Sequence, residues 1–244
     1  MLLMHFLLFF GKDAWAFKIN LIDSSLEIGQ GKYSTTATII NDSQNMIAIE
    51  TSARVRSHSL DGVENFDDLA ENLIVIPSQM IIPPDGEQVL SIRWTGPKKI
   101  SSEKAYRLLV EYVSISEDKL LGLKSDEQQA GININYRIAK SFYVTPKGVK
   151  PNVKIKKTEI QTLDEKEYLQ ITFENVGNKH QIANSIEMTF LTDLDKTINI
   201  SFEKQDLGGS INFLPLEKRE VSIPLPEKLK GEIIKEAVIV SITK

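Results

Sequence analysis

From Phe17 onward, apolar and polar residues alternate with a period of two far more often than they recur at helical spacing. Ile47, Ile49, Thr51, Ala53 and Val55 fall on one side of an extended segment, with Glu50, Arg54 and Arg56 on the other. Leu90, Ile92 and Trp94 repeat the pattern around Ser91 and Arg93, and Tyr106, Leu108, Val110 and Tyr112 repeat it around Arg107 and Glu111. In the second half, Leu169-Ile171-Phe173, Ile186-Met188-Phe190, Ile198-Ile200-Phe202 and Val238-Val240-Ile242 read the same way. Turn-forming residues separate the runs: Asn41-Asp42-Ser43, Asp61-Gly62, Pro83-Pro84-Asp85-Gly86, Gly177-Asn178 and Gly208-Gly209. Short alternating strands with this punctuation, and no long amphipathic helix, predict an all-β chain of β-sandwiches.

Pro146-Lys147-Gly148-Val149-Lys150-Pro151 is the clearest break, because each proline lacks the N–H that a strand ladder needs. About 130 residues precede it after Phe17 and about 95 follow, and each length suits one immunoglobulin-like sandwich. The expected organisation is residues 1–16 as a leader, 17–147 as a first sandwich and 148–244 as a second. The leader reading rests on the apolar run Leu2–Phe10, too short for a permanent span, followed by Ala14-Trp15-Ala16, a small-x-small cleavage pattern. No Lys or Arg precedes that run, which is unusual for a secretory signal. Export to the periplasm and no stable membrane insertion are the corresponding expectations.

The 244 residues carry 41% hydrophobic and 25% charged side chains, the balance of a folded globular protein rather than a disordered one. A formal net charge of -4 gives no basic field, which argues against nucleic acid as a partner. The chain has no cysteine, so disulfides, thiolate nucleophiles and cysteine metal sites are excluded. Three histidines, His5, His58 and His180, lie far apart in the chain and do not assemble a metal set by spacing. There is no nucleophile elbow, phosphate loop or dinucleotide fingerprint, and the pair Asp67-Asp68 reads as a solvated loop. The expectation is a binding protein with no catalytic residues, no metal and no cofactor.

One segment stands apart. A polar, charge-rich stretch from Ser116 to Gln129 is followed by Ile132, Ile134, Tyr136 and Ile138 on one face, with Asn133, Asn135 and Arg137 on the other. As a pattern this is either a half-buried strand or an apolar row at a sheet edge beside a long loop. The second arrangement could complete another protein's sandwich by strand addition. Exposed apolar edges are normally blunted, so a retained one has a use.

Four stretches resemble the periplasmic chaperones of the chaperone–usher pathway. They are Ile19–Leu21 leading through Gly29-Gln30-Gly31 into Ser34–Asp42; Ile74–Arg93 with its Pro77, Pro83, Pro84, Gly86 and Gln88; Ser102–Val110 with Glu103 ahead of Tyr106; and Lys140-Ser141-Phe142-Tyr143-Val144-Thr145-Pro146. In the second half, Phe173–Asn178 and Phe213–Leu216 are similar more loosely. The resemblance implies two immunoglobulin-like sandwiches in an L-shaped arrangement. It also implies a role in shielding pilus or fimbrial subunits, with delivery to an outer-membrane usher. Ile132, Ile134, Tyr136 and Ile138 would then fill the groove of an incomplete subunit. The family also grips the subunit's C-terminal carboxylate with an arginine on the first strand and a lysine on the seventh. Here Ser25 falls at the arginine position, Lys140 is the matching lysine, and Arg137 or Ser141 is the alternative in a shifted register. Glu103 matches the glutamate of a network that fixes the angle between domains, whose arginine position falls on Val144 or Thr145. A fibre component or sandwich adhesin is the alternative reading, and a bare edge also invites pairing between copies of the chain.

Overall fold

The computed structural model describes residues 17–113 and 136–244, apart from 22 and 30. The first half folds into β1 (Phe17–Leu21), β2 (Ser25–Ile28), β3 (Ser34–Asn41), β4 (Ile47–Val55), β5 (Ser57–His58) and β6 (Glu64–Asn65). It continues through β7 (Leu73–Ile76), β8 (Gln79–Ile82), β9 (Glu87–Trp94), β10 (Lys104–Val113) and β11 (Arg137–Pro146). Two sheets form, in the orders β1-β3-β9-β7 and β2-β11-β10-β4-β8. The chain crosses from one sheet to the other between β1 and β2. β1 lies antiparallel to β3, whereas β2 lies parallel to the last part of β11, from Tyr143 to Pro146. The alternating residues face each other across the sandwich, and Ile39, Ile49, Leu90, Ile92, Phe142 and Val144 are almost wholly buried.

The second half holds β12 (Val153–Leu163), β13 (Lys166–Asn175), β14 (Gln181–Ala183), β15 (Ser185–Thr192), β16 (Thr197–Glu203), β17 (Ile211–Phe213), β18 (Lys218–Pro224) and β19 (Ile234–Thr243). Its main sheets are β12-β13-β18 and β16-β15-β19, packed around Leu169, Ile171, Phe173, Ile186, Phe190 and Phe213. One expected row breaks down. Val238 and Val240 are 47% and 62% exposed, while Ala237, Ile239 and Ile242 pack on the core. The cause is a β-bulge: Glu187 pairs with Ser241 but the next residue, Met188, pairs with Ile239. The extra residue shifts the in-out phase of the strand midway, so no single alternation describes it.

The connection between the sandwiches is tied down rather than free. The Asn178 N–H donates to the Lys150 carbonyl at 3.0 Å, the Lys150 N–H to Asn178 Oδ1 at 2.9 Å, and the Val176 N–H to the Asn152 carbonyl at 2.9 Å. Gly177 is required there, since a Cβ would sit 2.4 Å from the Asn152 nitrogen and 2.5 Å from the Lys150 oxygen.

Candidate functional site

The Tyr112 N–H donates to the Tyr136 carbonyl at 2.9 Å, which makes Tyr112 and Tyr136 a hydrogen-bonded pair of the β10–β11 ladder. Antiparallel alternation then turns the backbone groups of Arg137, Ala139 and Ser141 away from β10, toward the other edge of β11. The same phase continues at Tyr143, whose N–H donates to the Ser24 carbonyl at 3.0 Å. β2 therefore occupies this edge only from Tyr143 onward, and among the described residues no strand pairs with it between Arg137 and Phe142. The edge is open over that length and ends against β2.

Of the apolar row, Tyr136 is 42% exposed and Ile138 is half-buried against the first core. Ile132 and Ile134 lie outside the described residues, as does the polar stretch before them. Arg137 is exposed, bound to Glu111 at 3.1 Å and set over the Phe66 ring. Lys140 is exposed on the same side of β11 as Ile138 and Phe142, opposite Leu108. Neither cation lines the cleft between the sandwiches, where Lys179 and Lys244 are the basic residues instead.

That cleft has a volume of about 530 Å³ and is lined by Ser25 of β2, by Ser141, Tyr143 and Thr145 of β11, and by His180 and Asn212 of the second sandwich, among others. Beside Ser141 and Tyr143, and outside the cleft lining itself, stand two arginines that the sequence reading passed over. The guanidinium of Arg107 on β10 donates through Nε and Nη2 to both oxygens of Glu64, at 2.6 and 2.7 Å, and through Nη1 to Ser141 Oγ at 2.7 Å. Arg56, whose side chain is only 7% exposed, donates to Tyr143 Oη at 3.1 Å and lies 2.5 Å from Glu64. That Nε contact is off the line of a hydrogen bond, so the Arg56 Nε–H has no acceptor among the described residues. Burial alone would raise the Glu64 pKa, but the hydrogen bond from Arg107 and the charges of both arginines hold it below the usual carboxylate range. Two guanidiniums against one carboxylate leave an unbalanced positive charge beside Ser141.

Below this pair runs a seam between the sandwiches. Glu103, with a fully enclosed side chain, accepts from Thr145 Oγ1 at 2.7 Å and from the His180 N–H at 3.0 Å, and its Oε1 lies 2.5 Å from His180 Nδ1. The His180 ring stacks on Tyr143 at 3.9 Å between centroids. Burial pushes the Glu103 carboxyl up, yet its bonds from His180 and Thr145 outweigh that and leave it lowered. Thr145, at one of the two positions matched to the network's arginine, and His180 of the second sandwich are thus the partners of Glu103. Ala105, Tyr143 and Leu214 add an apolar contact.

The fold is that of pilus-assembly chaperones. A chain of the CsuC–CsuE chaperone–tip adhesion subunit pre-assembly complex from the archaic chaperone–usher Csu pili of Acinetobacter baumannii superposes with a TM-score of 0.56 and 12% identity, over 94% of this chain and all of that one. The class 5 fimbriae chaperone CfaA gives 0.53 and 16% identity, over 93% of this chain and 100% of that chain. A chain of the chaperone–tip adhesin complex of CFA/I fimbriae biogenesis gives 0.53 and 17%, over 83% and 86%. No family model matches the sequence, and no curated protein matches it.

Proposed function

We propose that this chain is an assembly chaperone for fibre subunits, a binding protein and not an enzyme, that captures a partner by adding the partner's strand to the open edge of β11. The observation that carries this reading is that edge. It offers backbone groups at Arg137, Ala139 and Ser141, carries Tyr136 and Ile138, the described members of the apolar row, and is closed at one end by β2. Each buried aliphatic anchor contributes roughly 1.5–3 kcal/mol, so a few anchors with a ladder of backbone bonds hold a subunit without ATP. The solved chaperone–adhesin complexes with the same fold support a fibre subunit as partner. Delivery to an outer-membrane usher and residence in the periplasm belong to the same reading, as does the division into 17–147 and 148–244.

A strand laid along the edge ends beside Ser141, because Ser24 and Ser25 occupy the next position. The group best matched to the cationic excess there is a chain-terminal carboxylate. Buried without donors it would cost several kcal/mol, whereas Arg107, Arg56 and the Ser141 hydroxyl surround it with donors. The anchoring role expected of Lys140 or Arg137 passes in this reading to Arg107 and Arg56.

The test is co-expression with the fibre-subunit gene adjacent to the chain's own, reading soluble subunit and co-purified complex. Tyr136→Asp and Ile134→Asp each abolish recovery of the complex; unchanged recovery refutes strand addition. Arg107→Ala weakens capture by about 2 kcal/mol, the scale of a charged hydrogen bond, roughly 30-fold in Kd. Lys140→Met changes it less than about threefold. The reverse order of these two effects returns the anchor to Lys140.

A further inference from the structure

Glu64, which organises the two arginines, sits on the short hairpin β5–β6, and that hairpin is docked on the other sandwich. Ser57 pairs with Asn65 and His58 with Glu64. The turn between them is closed by the Ser59 N–H to the Val63 carbonyl and by the Gly62 N–H to the Ser59 carbonyl, both 2.9 Å. From β18 and the residue before it, three groups reach the hairpin. The Glu220 N–H donates to the Leu60 carbonyl at 2.6 Å, and Glu217 Oε2 meets His58 Nδ1 at 3.1 Å. The guanidinium of Arg219 packs against Gly62, where a Cβ would fall 1.3 Å from Nη1. On its other flank the hairpin presents Glu64 to Arg107 and Arg56.

We propose that Glu64 is a positioning residue whose place is set by the second sandwich, so that the β5–β6 hairpin transmits the seating of that sandwich to the arginine pair at the β11 edge. Arg107 bonds both Glu64 oxygens and aims its remaining nitrogen at Ser141. A guanidinium is planar and its donors are fixed relative to one another, so moving Glu64 moves the donor pointed at Ser141. If the turn lifts from β18, Glu64 goes with it, and the pair loses both its aim and the carboxylate that compensates two like charges. The hairpin spans only Ser57 to Asn65, too few residues to absorb the displacement within itself. The inference rests on the capture role proposed for Arg107 and Arg56, but the coupling is read in the free protein.

The experiment uses the whole chain with 15N-labelled arginine, following the Nε–H signals of Arg56 and Arg107. Gly62→Ala forces a Cβ into the Arg219 guanidinium without touching either reporter. Arg219→Ala removes the clasp from the opposite side and leaves Gly62 its positive φ of 84°. Gly208→Ala is the control, a glycine at φ 71° with open space around it, which imposes backbone strain but no clash. Gly62→Ala and Arg219→Ala should each shift both signals and speed hydrogen exchange at Arg107 Nε by about tenfold or more, with the control unchanged. Unmoved arginine signals in both variants overturn the coupling, as does an equal response in Gly208→Ala. In the co-expression assay the same two variants should weaken capture, while Arg107→Ala reports on the anchor itself. A silent Arg107→Ala with responsive arginine signals therefore removes the anchor reading and keeps the coupling, and the opposite pair of results does the reverse.

Discussion

Asn175 has no exposed surface, yet its side chain makes four hydrogen bonds, all to backbone: Nδ2 donates to the Lys179 and Phe213 carbonyls, and Oδ1 accepts from the Asn152 and Gly177 N–H groups. Asn41 does the equivalent job in the first sandwich, donating to the Asn45, Ile82 and Pro83 carbonyls and accepting from Ser43. An amide suits such a corner because it presents donors and acceptors together without a charge to desolvate. Asn175→Ala removes all four bonds, leaving the buried Phe213 carbonyl and three half-buried groups without this partner, and should lower stability by about 2 kcal/mol in urea unfolding; Asn175→Asp should do little better, since it offers no donors. Both asparagines stand in stretches singled out from the sequence, Asn41 in a turn and a resembling stretch and Asn175 in a resembling stretch alone. Their depth was not legible, because nothing local distinguishes a solvated turn asparagine from one enclosed by segments 38 or 41 residues away.

Strands whose two faces meet different surroundings were legible from alternation alone: β9, β13 and β15 bury the residues expected of them, and β4 and β10 do so except at their ends, where Val55 is exposed and Tyr112 only half-buried. β19 was not, because its bulge changes which face is which after Ile239. The consequence is measurable within two adjacent positions. Ile239→Ala should cost about 1–3 kcal/mol through the core contact it loses, and Val240→Ala should stay within about 0.5 kcal/mol, as judged by thermal unfolding. Equal costs would mean that the strand keeps one phase throughout. Arg56 and Arg107 illustrate a different limit. Arg107 lies on the polar side of β10 and Arg56 just past the end of β4, on the side the alternation marks as polar, where a solvated side chain is the default, and their convergence on Glu64 depends on a hairpin that no periodicity announces. A glutamate and two arginines on neighbouring polar faces was the available signal.

Across the whole molecule, the two histidines of residues 17–244 both bridge the same seam, each to a glutamate from the opposite sandwich: His58 to Glu217 and His180 to Glu103. Glu103 was expected to govern the junction, and the structure supplies its partner from 77 residues away. Because its pKa is lowered on folding, its ionised form stabilises the folded state. That contribution is complete above the ordinary value of 4.5 and is lost as the pH falls through the lower folded value. Glu103→Gln should therefore melt below the parent at pH 7, and the gap should close progressively below pH about 4.5. A gap that is independent of pH would assign the loss to packing. The seam also gives meaning to β2. By filling the edge from Tyr143 onward, it makes the remaining slot a ruler with a fixed zero, against which a guest strand is counted from its last residue backward. Under the strand addition proposed above, lengthening that guest by a single residue would exchange its inward and outward faces along the whole slot, so guests would be told apart by parity as well as by side chain.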